Sequence, residues 1–376
     1  MSGITPIIMP KWGLSMKQGT VVSWLVDVGA SISVGKPIME VETDKIASDV
    51  EAPDPGVLRR KIANPGDVFP VKALLGVMAG EEVTEAQIDA YVASFVTPVD
   101  ADDDEDGAAE QAWQWIEIDG IRVRYARRGN AEGGKLPVLF IHGFGGDLDN
   151  WLFNIDAVGA QNPVIALDLP AHGQSSLTLA GTTLKDLARF IAKFLDAIEV
   201  PRAHLVGHSM GGAIAAQLAL DAPARVASLS LIGSAGLGRE INAEYLAGYV
   251  AANSRRELKP VVEQLFADAS LVSRQLLDDL LKYKRLDGVS AALTELAAGL
   301  FPGGQQGELP VPALAAGGIP LQVIWGEEDR IIPAGHAALA LKGIKGAKVT
   351  VLAGAGHMVQ MEKAGEVNAL IKAQVA

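Results

Sequence analysis

Residues 98–111 carry seven acidic side chains and no basic one, with Pro98 and Gly107 among them. Like charges at this density repel one another. A stretch with so little apolar material cannot bury enough surface to offset the entropy lost on ordering. The chain of 376 residues is therefore divided there, and each side must build a core of its own. Stretched out, about 14 residues reach about 45–50 Å, so the segment reads as a tether. The apolar patterning differs in kind on its two sides, which places the two cores in different fold classes.

Charge and composition narrow the function classes. The net charge of −13 comes from 32 basic and 45 acidic residues. Residues 1–97 hold 8 basic and 12 acidic side chains, and residues 112–376 hold 24 and 26, so the excess sits on the front part and its tether. No basic stripe points to nucleic acid, and no polybasic run points to an anionic membrane surface. Cysteine is absent, which excludes disulfides and thiolate metal sites, and no metal is expected. The first residues lack a basic stretch leading into an apolar run, which argues against a secretory signal. The most apolar window, residues 311–325, is interrupted by Pro312, Gly317, Gly318 and Pro320, so it cannot be a spanning helix. A soluble, cytoplasmic protein is the expectation.

Residues 1–80 repeat themselves at an offset of 37: Gly19 aligns with Gly56, Leu25 with Ile62, Gly29 with Gly66, Ile32 with Phe69 and Val34 with Val71. Each copy reads as short strands around glycine turns, so the two halves predict a small pseudo-symmetric sandwich. Between them, Met39, Val41 and Thr43 alternate with Glu40, Glu42 and Asp44. Beyond the next lysine, Ile46, Ser48, Val50 and Ala52 alternate with Ala47, Asp49 and Glu51. Period-two alternation on both sides puts Asp44-Lys45 at a hairpin tip, with Lys45 directed into solvent. A lysine on an exposed turn is by itself only a solvated charge; its setting between mirrored strands is what singles it out. Residues 84–95 predict a short helix with Thr84 as its N-cap. The expected organisation is a small all-β domain over 1–80, a short helix and acidic linker over 81–112, and a larger domain over 113–376.

From Trp113 onward strands alternate with helices. Buried strands are expected over 137–142, 163–168, 203–207, 226–232, 321–325 and 348–352. Apolar Leu184, Leu187, Ile191, Phe194, Leu195 and Ile198 recur at helical spacing, and a further helix is expected over 210–220. This alternation predicts a parallel sheet covered by helices on both faces. Residues 238–300 carry helical patterns without strands, as a lid inserted over a site would.

Four short motifs follow strands in this region. Gly207-His208-Ser209-Met210-Gly211 ends a strand and opens a helix, a turn that exposes the serine hydroxyl. His142-Gly143-Phe144-Gly145-Gly146 can offer the Phe144 amide to a developing oxyanion, opposite the Met210 amide. Asp329, within Gly326-Glu327-Glu328-Asp329-Arg330, and His357, within Gly354-Ala355-Gly356-His357-Met358, supply an acid and a base. A serine hydroxyl is a poor nucleophile near neutral pH, so His357 would take its proton while Asp329 orients the imidazole. Glu327 and Glu328 are alternative acids. Of the other histidines, His142 and His208 are expected to pack near the nucleophile, His172 to brace a turn, His204 to lie in the core and His336 to be exposed.

The order Ser209, Asp329, His357, together with Asp168-Leu169-Pro170-Ala171-His172-Gly173, resembles the α/β-hydrolase family over residues 115–376. Met9-Pro10-Lys11-Trp12-Gly13 and Glu42-Thr43-Asp44-Lys45-Ile46 resemble the lipoyl domains of acyltransferase components over residues 4–80. Biotinyl domains share that fold but usually carry Met on both sides of their lysine. The resemblance implies a hammerhead-type β sandwich and a lipoate in amide linkage to Lys45. The usual acyltransferase motif His-x-x-x-Asp-Gly is missing, because neither Asp119-Gly120 nor Asp287-Gly288 has a histidine four residues before it. The tether also leaves no room for a partner-binding domain. A lipoyl domain joined to an α/β-hydrolase domain resembles the acetyltransferase components of bacterial acetoin dehydrogenase systems. That resemblance implies acetyl transfer from the arm on Lys45 through Ser209 to coenzyme A. It also implies a thiamine-diphosphate-dependent acetoin dehydrogenase and a dihydrolipoamide dehydrogenase as partners, in an assembly of several copies of this chain. A serine hydrolase, a thioesterase or esterase with water as acceptor, would use the same three residues and is the alternative.

Overall fold

In a computed structural model the chain falls into two compact units, with the boundary between Ala112 and Trp113. Described are residues 3–12, 16–43, 47–52, 54–80, 82–97, 113–129, 134–316, 318–343 and 346–376. Lys45, with Asp44 and Ile46, lies outside the described residues, as does the acidic segment.

The first unit contains β1 (Ile4–Ile8), β2 (Gln18–Trp24), β3 (Ser31–Ile32), β4 (Pro37–Glu42), β5 (Ala47–Glu51), β6 (Gly56–Lys61), β7 (Val68–Pro70) and β8 (Leu74–Ala79). They form two four-stranded sheets with orders β5-β4-β2-β7 and β1-β8-β6-β3. Exchanging β1 with β5, β2 with β6, β3 with β7 and β4 with β8 turns one sheet into the other. The repeat at an offset of 37 is thus the sequence trace of an internal two-fold. Met9, Val21, Ile38, Met39, Val41, Leu58 and Leu75 are fully buried in the core of this sandwich. Each such side chain contributes roughly 1.5–3 kcal/mol relative to leaving it in water. The alternation in β4 sends Met39 and Val41 inward and leaves Glu40 and Glu42 outside. Glu42 pairs with Ala47 across the antiparallel β4–β5 ladder, and the four residues between them include Lys45.

Helix α1 (Glu85–Ser94) follows, with Thr84 as N-cap in a reciprocal capping box with Gln87. Its buried Ile88 joins Leu74, Val77, Ala79 and Val83 in a second small core. Arg59 and Arg60 of β6 pair with Glu85, and Arg60 also with Asp89. The helix thus packs against the body expected over 1–80.

The second unit runs β9 (Gln114–Ile118), β10 (Ile121–Arg128), β11 (Val138–Ile141), α2 (Ile155–Gly159), β12 (Val164–Leu167), α3 (Leu184–Ala197), β13 (Ala203–His208), α4 (Met210–Asp221), β14 (Val226–Ile232), α5 (Ala243–Ala251), α6 (Arg255–Val262), α7 (Arg274–Lys284), α8 (Val289–Leu300), α9 (Val311–Ala316), β15 (Leu321–Gly326), α10 (Gly335–Gly343), β16 (Lys348–Leu352), α11 (Val359–Glu362) and α12 (Ala364–Val375). One eight-stranded sheet has the order β16-β15-β14-β13-β11-β12-β10-β9. The six strands read from the sequence are parallel. Two more, β9 and β10, extend one edge antiparallel. Asp119-Gly120 joins them with both residues at positive φ, 50° and 78°, as the right-handed twist of a two-residue hairpin favours. Helices α5 to α8 occupy the span expected for a lid. Among the described residues no helix is long and apolar enough to cross a membrane.

Candidate active site

The sheet reverses its winding at β11, which lies between β12 and β13. In such sheets the crevice beyond the carboxyl ends of the strands is where ligands bind. The candidate catalytic and oxyanion residues lie past such ends: the 142–146 turn after β11, Ser209 after β13, Asp329 after β15 and His357 after β16, with Asp168 after β12.

Ser209 joins β13 to α4 with φ 54° and ψ −120°, a conformation that costs a non-glycine residue on the order of 1–3 kcal/mol. The surroundings enforce it. Its amide donates to the Ile232 carbonyl at 2.9 Å, and its carbonyl accepts from Gly212 and Ala235, each at 3.0 Å. A Cβ at Gly207 would sit 2.4 Å from the Gly211 carbonyl oxygen, and one at Gly211 2.2 Å from that of Ile141, so only glycine fits at either position. Ser209 makes no side-chain capping bond to its own helix, and the residue is partly exposed. Met210 is the first residue of α4, where backbone amides have no acceptor within the helix.

Asp329 and His357 are brought together across the ends of β15 and β16. His357 Nδ1 lies 2.8 Å from Asp329 Oδ2, and the two side chains are 3% and 0% exposed. The other oxygen, Oδ1, accepts from the amides of Ile331 and Ile332 at 2.8 and 2.9 Å. A carboxylate only accepts, so Nδ1 carries the proton and Nε2 of the neutral ring is left as the base. The loop after β14 links this pair to the serine. A Cβ on Gly233 would lie 3.4 Å from His357 Nδ1 and 3.5 Å from Asp329 Oδ2, while the flanking Ile232 and Ala235 hold the Ser209 backbone. The glutamates weighed as alternative acids stand elsewhere. Glu327 is exposed, and Glu328 accepts from the amides of Gly354 and Ala355 in the His357 loop. Glu362, which no motif had marked, accepts from Gly356 and Ala267 and braces the same loop.

The turn after β11 closes with the Gly146 amide on the Gly143 carbonyl at 3.2 Å, with Gly145 at φ 74°. A Cβ on Gly143 would touch Ser209 Cβ at 3.0 Å, so the Phe144 turn runs beside the serine. Phe144 is buried, with its ring edge-on to His172, Tyr249 and Phe301. His142 donates through Nδ1 to the Gly143 carbonyl and accepts at Nε2 from the Leu169 amide. Burial holds its pKa down at about 4. His172 braces its turn through the Pro170 carbonyl and is pushed down to about 3 by burial and by His142. His208 donates to the His357 carbonyl at 2.9 Å, and burial keeps it well below the usual imidazole range. These three stay neutral near pH 7. His204 is half-buried with Nδ1 2.8 Å from Ser228 Oγ. His336 is buried and not exposed as expected: Gly238 leaves room for its ring, Trp325 stands edge-on to it, and Nε2 is 2.7 Å from Glu240. Asp168 is fully buried against Arg124 Nε at 2.6 Å and also accepts from the Leu148 and Gln174 amides.

The likeness to known proteins agrees with this division. A family model described as alpha/beta hydrolase fold matches residues 137–364, and one described as biotin-requiring enzyme matches residues 5–78. The dihydrolipoyllysine-residue acetyltransferase component of the acetoin cleaving system of Cupriavidus necator is 62% identical over 98% of this chain and 96% of its own. The chain belongs to this family. The Pseudomonas putida member is 50% identical over 98% of the chain and 97% of its own. Membership gives the first unit as a lipoyl-type domain and the second as an α/β-hydrolase fold, and it makes the chain an enzyme. Among solved structures, a meta-cleavage product hydrolase from Pseudomonas fluorescens superimposes with a TM-score of 0.63 at 23% identity, covering 69% of this chain and 96% of the hydrolase. At that identity the likeness speaks for the fold alone.

Proposed function

We propose that this chain transfers an acetyl group from a lipoyl arm on Lys45 to coenzyme A, with Ser209 as nucleophile, His357 as base, Asp329 as its orienting acid and the Phe144 and Met210 amides as oxyanion donors. The observation that carries the reading is the buried His357–Asp329 pair at 2.8 Å beside a serine held at φ 54°. The family to which the chain belongs is one of acetyltransferases, and its relatives' name specifies a dihydrolipoyllysine residue. The antiparallel β4–β5 ladder fits such a group, since its last pair, Glu42 with Ala47, brackets Lys45 in the sequence. A lipoyl group there supplies a dithiol on a long arm, able to carry an acyl group as a thioester.

The proposed steps are these. Ser209 Oγ attacks the thioester carbonyl as His357 Nε2 takes its proton. The tetrahedral oxyanion lies against the two amides. It collapses with cleavage of the C–S bond, and the leaving thiol receives the proton from His357. The thiol of coenzyme A then loses its proton to His357, and its sulfur attacks the acetyl-serine. Ser209 Oγ departs with that proton restored. Asp329 keeps Nδ1 protonated throughout, so the accepting nitrogen always faces the reacting atoms.

The relatives' name also places them in an acetoin cleaving system. A thiamine-diphosphate-dependent acetoin dehydrogenase that loads the arm and a dihydrolipoamide dehydrogenase that reoxidises it are the partners this reading requires, around several copies of the chain in the cytoplasm. The test replaces Ser209 with Ala and follows acetyl transfer from acetyl-dihydrolipoamide to coenzyme A. Loss of at least about 10³-fold in kcat is expected, and undiminished transfer would refute the covalent role. Hydrolysis with water as acceptor is the second reading. It is favoured by a 31%-identical relative from Paraburkholderia phymatum, a 2-hydroxy-6-oxononadienedioate/2-hydroxy-6-oxononatrienedioate hydrolase covering 67% of this chain and 90% of its own. Free acetate formed at the same rate with and without coenzyme A would decide for it.

A further inference from the structure

Tyr249 of the lid touches the 143–146 turn. Tyr249, near the end of α5, is 2% exposed, and its hydroxyl donates to the Gly145 carbonyl at 2.8 Å across 104 residues of sequence. Its ring stands edge-on to Phe144 and occupies the place a side chain on Gly145 would need. A Cβ there would lie 2.4 Å from the tyrosine ring. Burial keeps the phenol well above its ordinary range, so it remains a donor at every working pH. Lys284 of α7 fixes the backbone beneath it, donating to the carbonyls of Tyr249 and Val250 at 2.5 and 3.1 Å. The neighbouring Tyr283 anchors the same lid helix elsewhere, donating to the Ala171 carbonyl at 2.6 Å. The lid thus has anchors that do not involve the Tyr249 hydroxyl.

We propose that Tyr249 is a positioning residue for the transfer reaction, one that sets the 143–146 turn from the lid side so that the Phe144 amide points at the developing oxyanion. The proposal rests on the reading of Ser209 as nucleophile and Phe144 as oxyanion donor. Fixing the Gly145 carbonyl fixes the Gly145–Gly146 peptide, whose amide closes on the Gly143 carbonyl of the peptide that carries the Phe144 N–H, and with it the tilt of the turn. An oxyanion donor must be aimed before charge develops, because reorienting it during the reaction consumes the stabilisation it gives. A misaimed donor weakens the tetrahedral state while leaving the bound thioester, which carries no such charge, unaffected.

The test uses the full-length protein with Tyr249→Phe, which removes one oxygen and keeps the ring. Transfer from acetyl-dihydrolipoamide to coenzyme A should lose about fivefold to tenfold in kcat, with both KM values within about twofold of the parent. Inhibition by a trifluoromethyl ketone, which adds to Ser209 as a charged tetrahedral adduct, should weaken by the same factor. A purely structural lid contact would instead raise KM or lower the melting temperature without tracking the ketone. Either that pattern or a kcat equal to the parent's overturns the proposal. Ser209→Ala run in parallel separates the two levels. If it abolishes transfer while Tyr249→Phe is silent, only the positioning role falls; if transfer survives Ser209→Ala, the underlying reading falls and the proposal with it.

Discussion

Asp329 engages both of its oxygens, one on His357 Nδ1 and the other on the amides of Ile331 and Ile332. This arrangement makes the nearly isosteric Asp329→Asn informative. The two amides would keep the carboxamide oxygen on their side and turn its NH2 toward His357 Nδ1. The imidazole would then have to accept at Nδ1 and carry its proton on Nε2, the tautomer that cannot take a proton from Ser209. We expect kcat to fall on the order of 10³–10⁴-fold with the melting temperature nearly unchanged, measured by steady-state kinetics alongside thermal unfolding. The candidate triad was legible in the sequence because each member sits in a short motif after a strand. Tyr249, Glu362 and the burial of His336 were not. Their partners lie far away in sequence, and no local pattern marks which core loop a lid side chain will reach.

The elements were legible where apolar period and capping chemistry agree. Thr84 and Gln87 announce the start of α1, and both halves of their capping box form. Replacing Thr84 with Ala should destabilise the first unit by about 1 kcal/mol, read as a shift in its urea midpoint with the slope unchanged. Strands β9 and β10 show the opposite case. Their sequence, Gln114-Trp115-Ile116-Glu117-Ile118 followed by Asp119-Gly120, held a hairpin signal of alternating residues around an Asp-Gly turn. The neighbouring alternation of strands and helices predicts a parallel sheet, and an antiparallel edge departs from that rule. The parallel strands are buried on both faces and read as continuous apolar runs, such as Val138-Leu139-Phe140-Ile141.

At the scale of the whole molecule, the tether turns transfer into an intramolecular event under the proposed function. Covalent linkage of two modules in general supplies an effective concentration in the mM range. A protease site inserted within residues 98–111 and cleaved after purification should leave each unit folded but make transfer depend on protein concentration. At about 10 μM of the cleaved units the single-turnover rate should fall on the order of 10²-fold, recovering as concentration rises. An unchanged rate after complete cleavage would show that the tether contributes nothing. The sequence alone determined the division into two units, the pseudo-symmetry of the first, the strand–turn–helix around Ser209 and the succession of serine, aspartate and histidine. All of these are written in residues close together in the chain or in a simple period, so hydrogen-bonding and burial rules act on them locally. Only the tertiary structure decided that β11 lies between β12 and β13, that Asp329 and His357 meet at 2.8 Å, and that the Tyr249 hydroxyl reaches the Gly145 carbonyl. Those depend on which apolar faces cover one another, a choice that packing makes for the chain as a whole and that no short window of sequence contains.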